Sequence, residues 1–179
     1  MQPITINGDW IQSVKDSVPD HAKDIKLNLD SVMNRSGLDP VDAHACAYTA
    51  AIAAGNGGLA FEIEMNGPLF MAEAEREAAK TAAALMGMNN IYYPFVEMTG
   101  DPQLKGLPPG LRMNAYANNG GVSKKKFEMY ALAASIVGKC HFCVKNHYDA
   151  LKAEGMTVQE LQAVGKIAAV VNAIGKVAI

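Results

Sequence analysis

Apolar residues recur along this chain at steps of three and four positions, the spacing that places side chains on one face of an α-helix. The pattern is clear after Asp20, which is a candidate N-cap for the first predicted helix. The apolar positions of this helix are Ala22, Ile25, Leu29, Val32 and Met33. The alternation typical of strands is nearly absent, so the pattern predicts an all-α protein.

Caps and helix-breaking residues indicate where further helices begin and end. Asp39 followed by Pro40 predicts a helix start, because proline in the first helical position loses no hydrogen bond that the helix needs. This helix should run over 40–54 and stop at the glycines that follow. A long helix is predicted over 69–92. Residues 94–110 hold four prolines and three glycines, which favours an irregular seam between two halves of the protein.

The chain beyond this seam predicts a short helical turn and then three closing helices. Their expected bounds are Leu111–Ala117, Lys124–Val137, Cys140–Ala153 and Val158–Ile174. Thr157 with Glu160 three positions later fits a capping box at the start of the last helix.

A weak internal similarity relates Lys80–Leu85 to Lys166–Val171, 86 residues later. It indicates a duplicated helical unit. We therefore expect one domain over 1–179, with an N-terminal half of about 1–93 and a C-terminal catalytic half of about 107–179.

Composition narrows the class of protein. Alanine, the best helix former, occurs 28 times among the 179 residues, which favours closely packed helices. The net charge of −2 indicates no polycationic surface for nucleic acid. No apolar run approaches the roughly 20 residues of a membrane helix, and no signal peptide is recognisable, so we expect a cytoplasmic protein. Three cysteines do not make a disulfide scaffold.

The most informative segment carries Cys140, Cys143 and His147. Each helical residue turns by about 100°, so Cys143 and His147, four positions apart, lie about 40° from each other. Cys140 lies about 60° to the other side of Cys143. Two thiols and an imidazole therefore share one partly apolar face, which consists of Cys140, Cys143, Val144, His147 and Leu151.

This face suits thiol redox chemistry. The thiolate is the reactive form, and an ordinary cysteine with a pKa of about 8.5 is only a few per cent ionised at pH 7. Helix N-terminal amides and His147 both favour ionisation, and a second thiol can then close a disulfide. The position of Cys140 at the helix start predicts that it is the more exposed thiol, which favours it as the first sulfur that a reductant attacks. The nearby His147 favours Cys143 instead, so the sequence leaves the choice between the two open.

Glu128 is the only charged residue between Phe127 and Gly138. Such a helix is expected to be buried, and a buried carboxylate needs a partner because its isolated ionisation is costly. If this helix packs against the next, His147 is the natural partner. We therefore predict a proton relay from Glu128 through His147 to Cys143.

These residues also fit other interpretations. Zinc could be held by Cys140, Cys143 and His147, with His141, His44 or Glu128 as the fourth ligand, but no second Cys-x-x-Cys or His pair is present. An inert structural cysteine pair is another alternative. Outside the pair we predict core positions for Cys46 and for four methionines, Met65, Met71, Met86 and Met88. We predict surface or satisfied positions for His21 and His44, and a solvated face or acidic-partner patch for Lys124–Lys126.

Glu128, Cys140, Cys143 and His147 together resemble the signature of the alkylhydroperoxidase D family, in which a glutamate precedes Cys-x-x-Cys-x-x-x-His by twelve positions. The resemblance extends over nearly the whole chain. Its other blocks are residues 22–29, 86–90 and 109–114.

The resemblance implies an all-helical homotrimer built from a duplicated unit. It implies a thiol-dependent peroxidase in antioxidant defence that also reduces a partner peroxiredoxin of the alkyl hydroperoxide reductase type. No cofactor would be bound. Dihydrolipoamide on a lipoyl-bearing acyltransferase, recharged by dihydrolipoamide dehydrogenase, would supply the electrons. Cys143 would be activated through Glu128 and His147, and Cys140 would be its disulfide partner.

One position departs from the family pattern. The best-known members carry a second histidine where this chain has Phe142, and His141, one place earlier, would point about 100° away. The related carboxymuconolactone decarboxylases lack the Cys-x-x-Cys, so its presence argues against that chemistry. The alternative function is a disulfide-reductase adaptor that passes electrons from a lipoyl protein to a peroxiredoxin, with little peroxidase activity of its own.

Overall fold

The computed structural model describes residues 10–66 and 70–177. Over these residues it contains ten α-helices and no strand, which confirms the predicted all-α fold. None of the described helices is both long and apolar enough to cross a bilayer. The helices are α1 (Trp10–Ser17), α2 (Lys23–Asn34), α3 (Pro40–Ala53), α4 (Gly57–Asn66), α5 (Glu73–Thr99), α6 (Pro102–Gly106), α7 (Asn114–Ala117), α8 (Lys124–Gly138), α9 (His141–Ala153) and α10 (Val158–Ile174).

Two predicted helix starts are confirmed by their hydrogen bonds. Asp39 caps α3, its side chain accepting the Val41 N–H at 2.9 Å. Thr157 and Glu160 form the predicted capping box at the start of α10. The prediction for Asp20 is wrong, because residues 20–22 form a 3-10 turn that starts from Pro19, and α2 begins only after it, without a side-chain cap.

The second and third predicted helices differ from the structure at their ends. Gly55 ends α3 in the left-handed region, at φ 70°, but the glycines after it begin α4, which the sequence did not predict. The predicted start of the long helix at Leu69 lies outside the described residues. Its end is wrong by several residues, because α5 continues through Pro94 to Thr99.

Tertiary contacts explain why α5 runs past a proline. Proline in a helix interior costs about 3 kcal/mol because it removes a hydrogen bond and crowds the preceding turn. Tyr93 stacks on Phe142 of α9, with ring centroids 4.4 Å apart, so the last turns of α5 have a packing partner. Gly100, in the left-handed region, then ends the helix. The irregular seam is therefore shorter than predicted, and it includes the short helix α6.

The core is formed where α3, α5, α8 and α10 pack against one another. Alanine dominates the contacts, and its single methyl group lets helix backbones approach closely. On α3 every residue from Ala43 to Ala51 is buried. The fully buried alanines of the other helices include Ala78, Ala79, Ala82, Ala131, Ala133, Ala134 and Ala168.

The lysines at the start of α8 make interhelical ion pairs. Lys126 lies 2.9 Å from Glu75 of α5 and 3.7 Å from Asp42 of α3. Lys124 lies 3.0 Å from Glu154, at the end of α9. The prediction of a solvated face is therefore incomplete, because Lys124 and Lys126 also form ion pairs that connect α8 to neighbouring helices.

The connection between α8 and α9 is tight. Gly138, the last residue of α8, lies against Asn90 of α5, so that a Cβ at Gly138 would overlap the Asn90 amide. That amide donates to the Ala134 carbonyl oxygen at 3.1 Å. Lys139 then adopts the left-handed region, at φ 55°, and Cys140 follows as the N-cap of α9. This turn places the cysteine pair directly beside α5 and α8.

Gly138→Ala is expected to lower the free energy of unfolding by about 1–3 kcal/mol, because Asn90 must move away from the new methyl group. Urea unfolding monitored by circular dichroism measures the change. The matched control is Gly165→Ala on α10, where a Cβ meets nothing within 4 Å. There the helix propensity of alanine should raise stability by about 0.5–1 kcal/mol. A Gly138→Ala variant as stable as the wild type would contradict the close approach.

Candidate active site

Four helices bring side chains to one buried site. α8 contributes Glu128 and α9 contributes the cysteine pair and His147. α7 contributes Tyr116 and α5 contributes Met86, each in contact with one of these polar groups. The predicted packing of α8 against α9 is therefore present.

Cys140 and Cys143 are joined in a disulfide, with their Cα atoms 5.3 Å apart. Cys140 is the N-cap of α9, and its sulfur accepts the Cys143 N–H at 3.2 Å. A helix N-terminus favours negative charge, so this position stabilises a thiolate on Cys140 when the pair is reduced.

Exposure of the two sulfur-bearing residues differs from the expectation. Cys140 is completely buried and Cys143 is 4% exposed. The prediction that Cys140 is the more exposed thiol is wrong, because its side chain turns inward to cap α9 instead of facing solvent. Exposure therefore gives no reason to expect attack at Cys140 first.

The face predicted for α9 is confirmed by its burial pattern. Cys143, His147 and Leu151 are buried, whereas Lys145 and Asp149 on the opposite side are exposed. Local helix geometry thus places the second cysteine and the histidine on the same side of α9, towards the core.

The predicted contact between Glu128 and His147 is present. Nδ1 of His147 lies 2.7 Å from Oε2 of Glu128, and the two residues are 6% and 4% exposed. An ionised carboxylate only accepts hydrogen bonds, so Nδ1 of His147 carries a proton and donates a hydrogen bond to Glu128. The proton-accepting lone pair of a neutral ring is then on Nε2.

Several groups determine the charge state of Glu128. Burial alone raises its pKa, but hydrogen bonds donated by His147 and Tyr116, together with the nearby charges of His147 and Lys124, outweigh burial and lower the pKa below its ordinary value of 4.5. The site therefore holds a buried carboxylate that is ionised at neutral pH.

Tyr116 was missed by the sequence analysis. Its hydroxyl donates a short hydrogen bond to Oε1 of Glu128 and lies 3.5 Å from Nδ1 of His147. No recognisable motif surrounds Tyr116; the only signal was its place in the predicted short turn over Leu111–Ala117. The structure has a helix there, α7, but it begins three residues later than predicted, at Asn114.

Met71 and Met86 lie in the core as predicted, but the prediction is wrong for Met65, which is 41% exposed, and for Met88, which is only half-buried. Met86 also contacts the site. Its sulfur lies 3.2 Å from Nε2 of His147. A thioether can accept a hydrogen bond but has no proton to donate, so this contact is a hydrogen bond when Nε2 is protonated, and it offers no competing donor to the Nε2 lone pair of the neutral ring. Among the hydrogen bonds of the described residues none joins His147 to Cys143, so the last step of the predicted relay stays a prediction.

Next to the cysteine pair lies an open cavity of about 850 Å³. Phe142 and Tyr93 line it, together with the ion pair between His141 and Glu97, whose Nδ1 and Oε1 are 3.4 Å apart. His141 is exposed and lines this cavity together with Phe142. Phe142 is 51% exposed and stacks on Tyr93, so an apolar ring from between the two cysteines faces this cavity.

The other candidate residues lie outside the site. Cys46 is completely buried in α3, and burial raises the pKa of its thiol, as expected for a core residue. His44 is buried, stacked on Phe70 and 2.7 Å from the Pro40 carbonyl oxygen, and His21 is exposed. Within the described residues no three histidine, cysteine or acidic side chains are grouped closely enough to hold a metal ion.

Known proteins are similar to this chain over the segment of the cysteine pair and over most of its length. The sequence model of the carboxymuconolactone decarboxylase family matches residues 102–178, which include the cysteine pair. A protein of Rhodospirillum centenum named alkyl hydroperoxide reductase AhpD is 40% identical over 167 residues, covering 93% of this chain and 89% of that protein. Proteins of the same name from Maricaulis maris and Coxiella burnetii are 38% and 39% identical, over 93% and 94% of this chain and 96% and 97% of their own lengths.

Glu128→Gln is expected to destabilise the protein near pH 7 and to matter progressively less in acid. Because the folded-state pKa of Glu128 lies below 4.5, its ionised form stabilises the fold above that value, and this contribution is lost as the pH falls through the folded-state pKa. Urea unfolding of both proteins at pH 7 and at pH values below 4.5 measures the difference.

The matched control is Glu97→Gln, which breaks a glutamate–histidine pair with side chains 57% and 83% exposed. A surface pair contributes little, so this variant should change stability by less than about 1 kcal/mol. A Glu128→Gln effect equally small at pH 7 would contradict the buried pair.

Proposed function

Because the chain belongs to the alkyl hydroperoxide reductase AhpD family, we propose that it is a thiol-dependent peroxidase working through a dithiol–disulfide cycle of Cys140 and Cys143. The family relationship supports a peroxide-reducing oxidoreductase in general. The observation that carries the finer proposal is the buried hydrogen bond between Glu128 and His147, which orients a basic ring nitrogen on the helix of the cysteine pair.

The first half of the cycle oxidises the protein. His147 takes the proton of the Cys143 thiol at Nε2, with Glu128 stabilising the imidazolium that forms. The thiolate attacks one oxygen of the hydroperoxide, whose O–O bond breaks. Cys143 becomes a sulfenic acid, and the leaving alkoxide takes the proton from His147 and departs as an alcohol.

The disulfide forms in the next step. The Cys140 sulfur attacks the sulfenic sulfur of Cys143, and the hydroxyl group leaves with the Cys140 proton as water. The capping position of Cys140 supports this role, because the Cys143 N–H that its sulfur accepts favours the thiolate. The product is the disulfide state of the described structure.

Dihydrolipoamide is proposed as the external reductant that reopens the disulfide, with no cofactor bound to the chain itself. One of its thiolates attacks a sulfur of the pair, and its second thiol displaces the mixed disulfide, so that two electrons and two protons pass to Cys140 and Cys143. Burial of both sulfurs favours a slender dithiol over a bulky protein thiol as the attacking group.

The proposed partners follow from family membership. They are a lipoyl-bearing acyltransferase as electron source, a peroxiredoxin of the alkyl hydroperoxide reductase type, and further copies of this chain in a cytoplasmic homotrimer. Exposed apolar side chains support contacts between copies, since large exposed apolar patches are typical of interaction surfaces. These side chains include Ile91, Phe95, Met98, Leu107 and Leu111.

The peroxidase is tested by peroxide consumption with dihydrolipoamide as the only reductant and no peroxiredoxin present. Wild-type protein is expected to consume peroxide, and Cys140→Ser and Cys143→Ser are each expected to lose catalytic turnover because neither can form the disulfide. Glu128→Gln should slow thiol oxidation at neutral pH by about a hundredfold, the usual size of a proton-transfer contribution.

Cys46→Ala is the matched control, because it removes the one cysteine that lies in the core outside the site. It should retain the wild-type rate within about twofold, since no step of the cycle uses that thiol. Full activity in either site variant would overturn the two-thiol mechanism. Wild-type protein that consumes peroxide only after a peroxiredoxin is added would instead establish the adaptor function.

A further inference from the structure

We propose that Tyr116 is a positioning residue of this site, whose hydroxyl holds the Glu128 carboxylate in place and lowers the pH at which the Glu128–His147 pair takes up a proton. The inference deepens the proposed function, because it concerns the working pH range of the base that serves Cys143. It rests on contacts that connect α7, α8 and α9.

The hydroxyl is placed to act on the carboxylate. It donates to Oε1 of Glu128, while Nδ1 of His147 occupies Oε2 at 2.7 Å. Each carboxylate oxygen therefore accepts one hydrogen bond, and the carboxylate cannot rotate without losing one of them. This arrangement keeps the His147 ring in the orientation that directs Nε2 away from Glu128.

Tyr116 remains a donor over the working pH range. Burial, and then the hydrogen bond to Glu128 and its negative charge, raise the pKa of the phenol above its ordinary value of 10. The hydroxyl therefore keeps its proton whenever Glu128 is ionised, and the bond keeps the same direction.

The segment that carries Tyr116 is anchored on both sides. Before it, Met113 accepts a hydrogen bond at its sulfur from the Asn89 side chain of α5, at 3.2 Å. After it, Gly120, at φ 60°, lies so close to Phe127 that a Cβ there would be 2.8 Å from the ring. The Tyr116 ring also packs edge-on against Phe127, with centroids 5.4 Å apart. The hydroxyl is therefore held by packing and does not depend on its hydrogen bond alone.

Few other titratable groups lie close enough to the Glu128–His147 pair to change the pH at which it takes up a proton. The titratable groups that the structure places around it are Tyr116 on α7, Lys124 on α8 and, in the reduced protein, the thiol of Cys143 on α9. α5 presents the thioether of Met86, which does not titrate. Of these, Tyr116 alone donates a hydrogen bond to the glutamate at neutral pH without contributing charge.

The direction of the effect follows from which state the hydroxyl stabilises. A hydrogen bond donated to the ionised carboxylate stabilises the deprotonated pair, so it lowers the pH at which the pair takes up a proton. Because Glu128 stays ionised near neutral pH, the proton is taken up by His147. The Tyr116 hydroxyl then acts by drawing negative charge away from the carboxylate, which weakens its attraction for the imidazolium and so again lowers the pH of proton uptake. Removing the hydroxyl should therefore move proton uptake to higher pH and reduce the amount of free base near neutrality.

The test compares Tyr116→Phe with wild type by NMR titration of the His147 ring, assigned by loss of its signal in His147→Gln. The disulfide form is used, because its cysteines do not titrate. Phenylalanine keeps the packing against Phe127, and circular dichroism checks that the variant is folded. The midpoint of the titration is expected to rise by less than about one pH unit, because the hydroxyl bonds the ionised carboxylate both before and after His147 takes up a proton, and only part of the energy of a hydrogen bond to a charged group then appears as a shift.

Tyr48→Phe is the matched control, because it removes a tyrosine–glutamate hydrogen bond, to Glu64, elsewhere in the molecule. Its His147 titration should coincide with that of the wild type. A Tyr116→Phe midpoint that also coincides with the wild type, or that moves to lower pH, would overturn the proposal.

A second measurement separates this proposal from the proposed function. The rate of peroxide oxidation of the reduced protein is followed against pH, and in Tyr116→Phe its acid limb should move upward by the same amount, with the wild-type rate recovered in alkali. A shifted NMR midpoint with an unshifted rate profile supports the role of Tyr116 and contradicts the relay to Cys143. A rate reduced equally at every pH, with no NMR shift, indicates a merely structural residue and overturns the proposal.

Discussion

The buried hydrogen bond between Glu128 and His147 is the interaction on which the rest of the site depends. A carboxylate that is 4% exposed needs donors, because burying an unpaired charge costs far more than a typical hydrogen bond returns. Breaking such a pair typically costs about 3–5 kcal/mol, since it leaves one charge uncompensated. The contact therefore constrains how α8 and α9 pack, and it directs the histidine to the side of α9 that carries Cys143.

Alanine side chains are small, so the helix backbones around this contact can approach each other closely. After Glu128, α8 buries Ala131, Ala133 and Ala134, and its neighbours α3 and α5 present alanines to the same core. Small side chains allow the close helix packing that a short glutamate–histidine bond needs, because larger ones would hold the backbones apart. At the end of α8 the packing is closer still, because Gly138 lies against Asn90 with no room for even a methyl group.

Burial also determines the surroundings in which the two thiols react. Cys140 caps α9 with its sulfur and is completely buried, while Cys143 is 4% exposed on the face of the histidine. The helix N-terminus acts on the sulfur of Cys140, whereas the proposed base, His147, would serve the sulfur of Cys143. In the proposed cycle this divides the work, because one thiol reacts with the peroxide and the other resolves the product.

The sequence by itself determined the helical class, the last three helices almost to the residue, the shared face of α9 and the pairing of Glu128 with His147. These follow from helix periodicity, capping residues and the cost of a buried charge, which are local or act on a single conspicuous residue. Only the tertiary structure decided the passage of α5 through Pro94, the inward turn of Cys140 and the contacts of Tyr116 and Met86. Met86 and His147 are 61 residues apart in the chain, and such contacts depend on how whole helices pack, which no local pattern encodes.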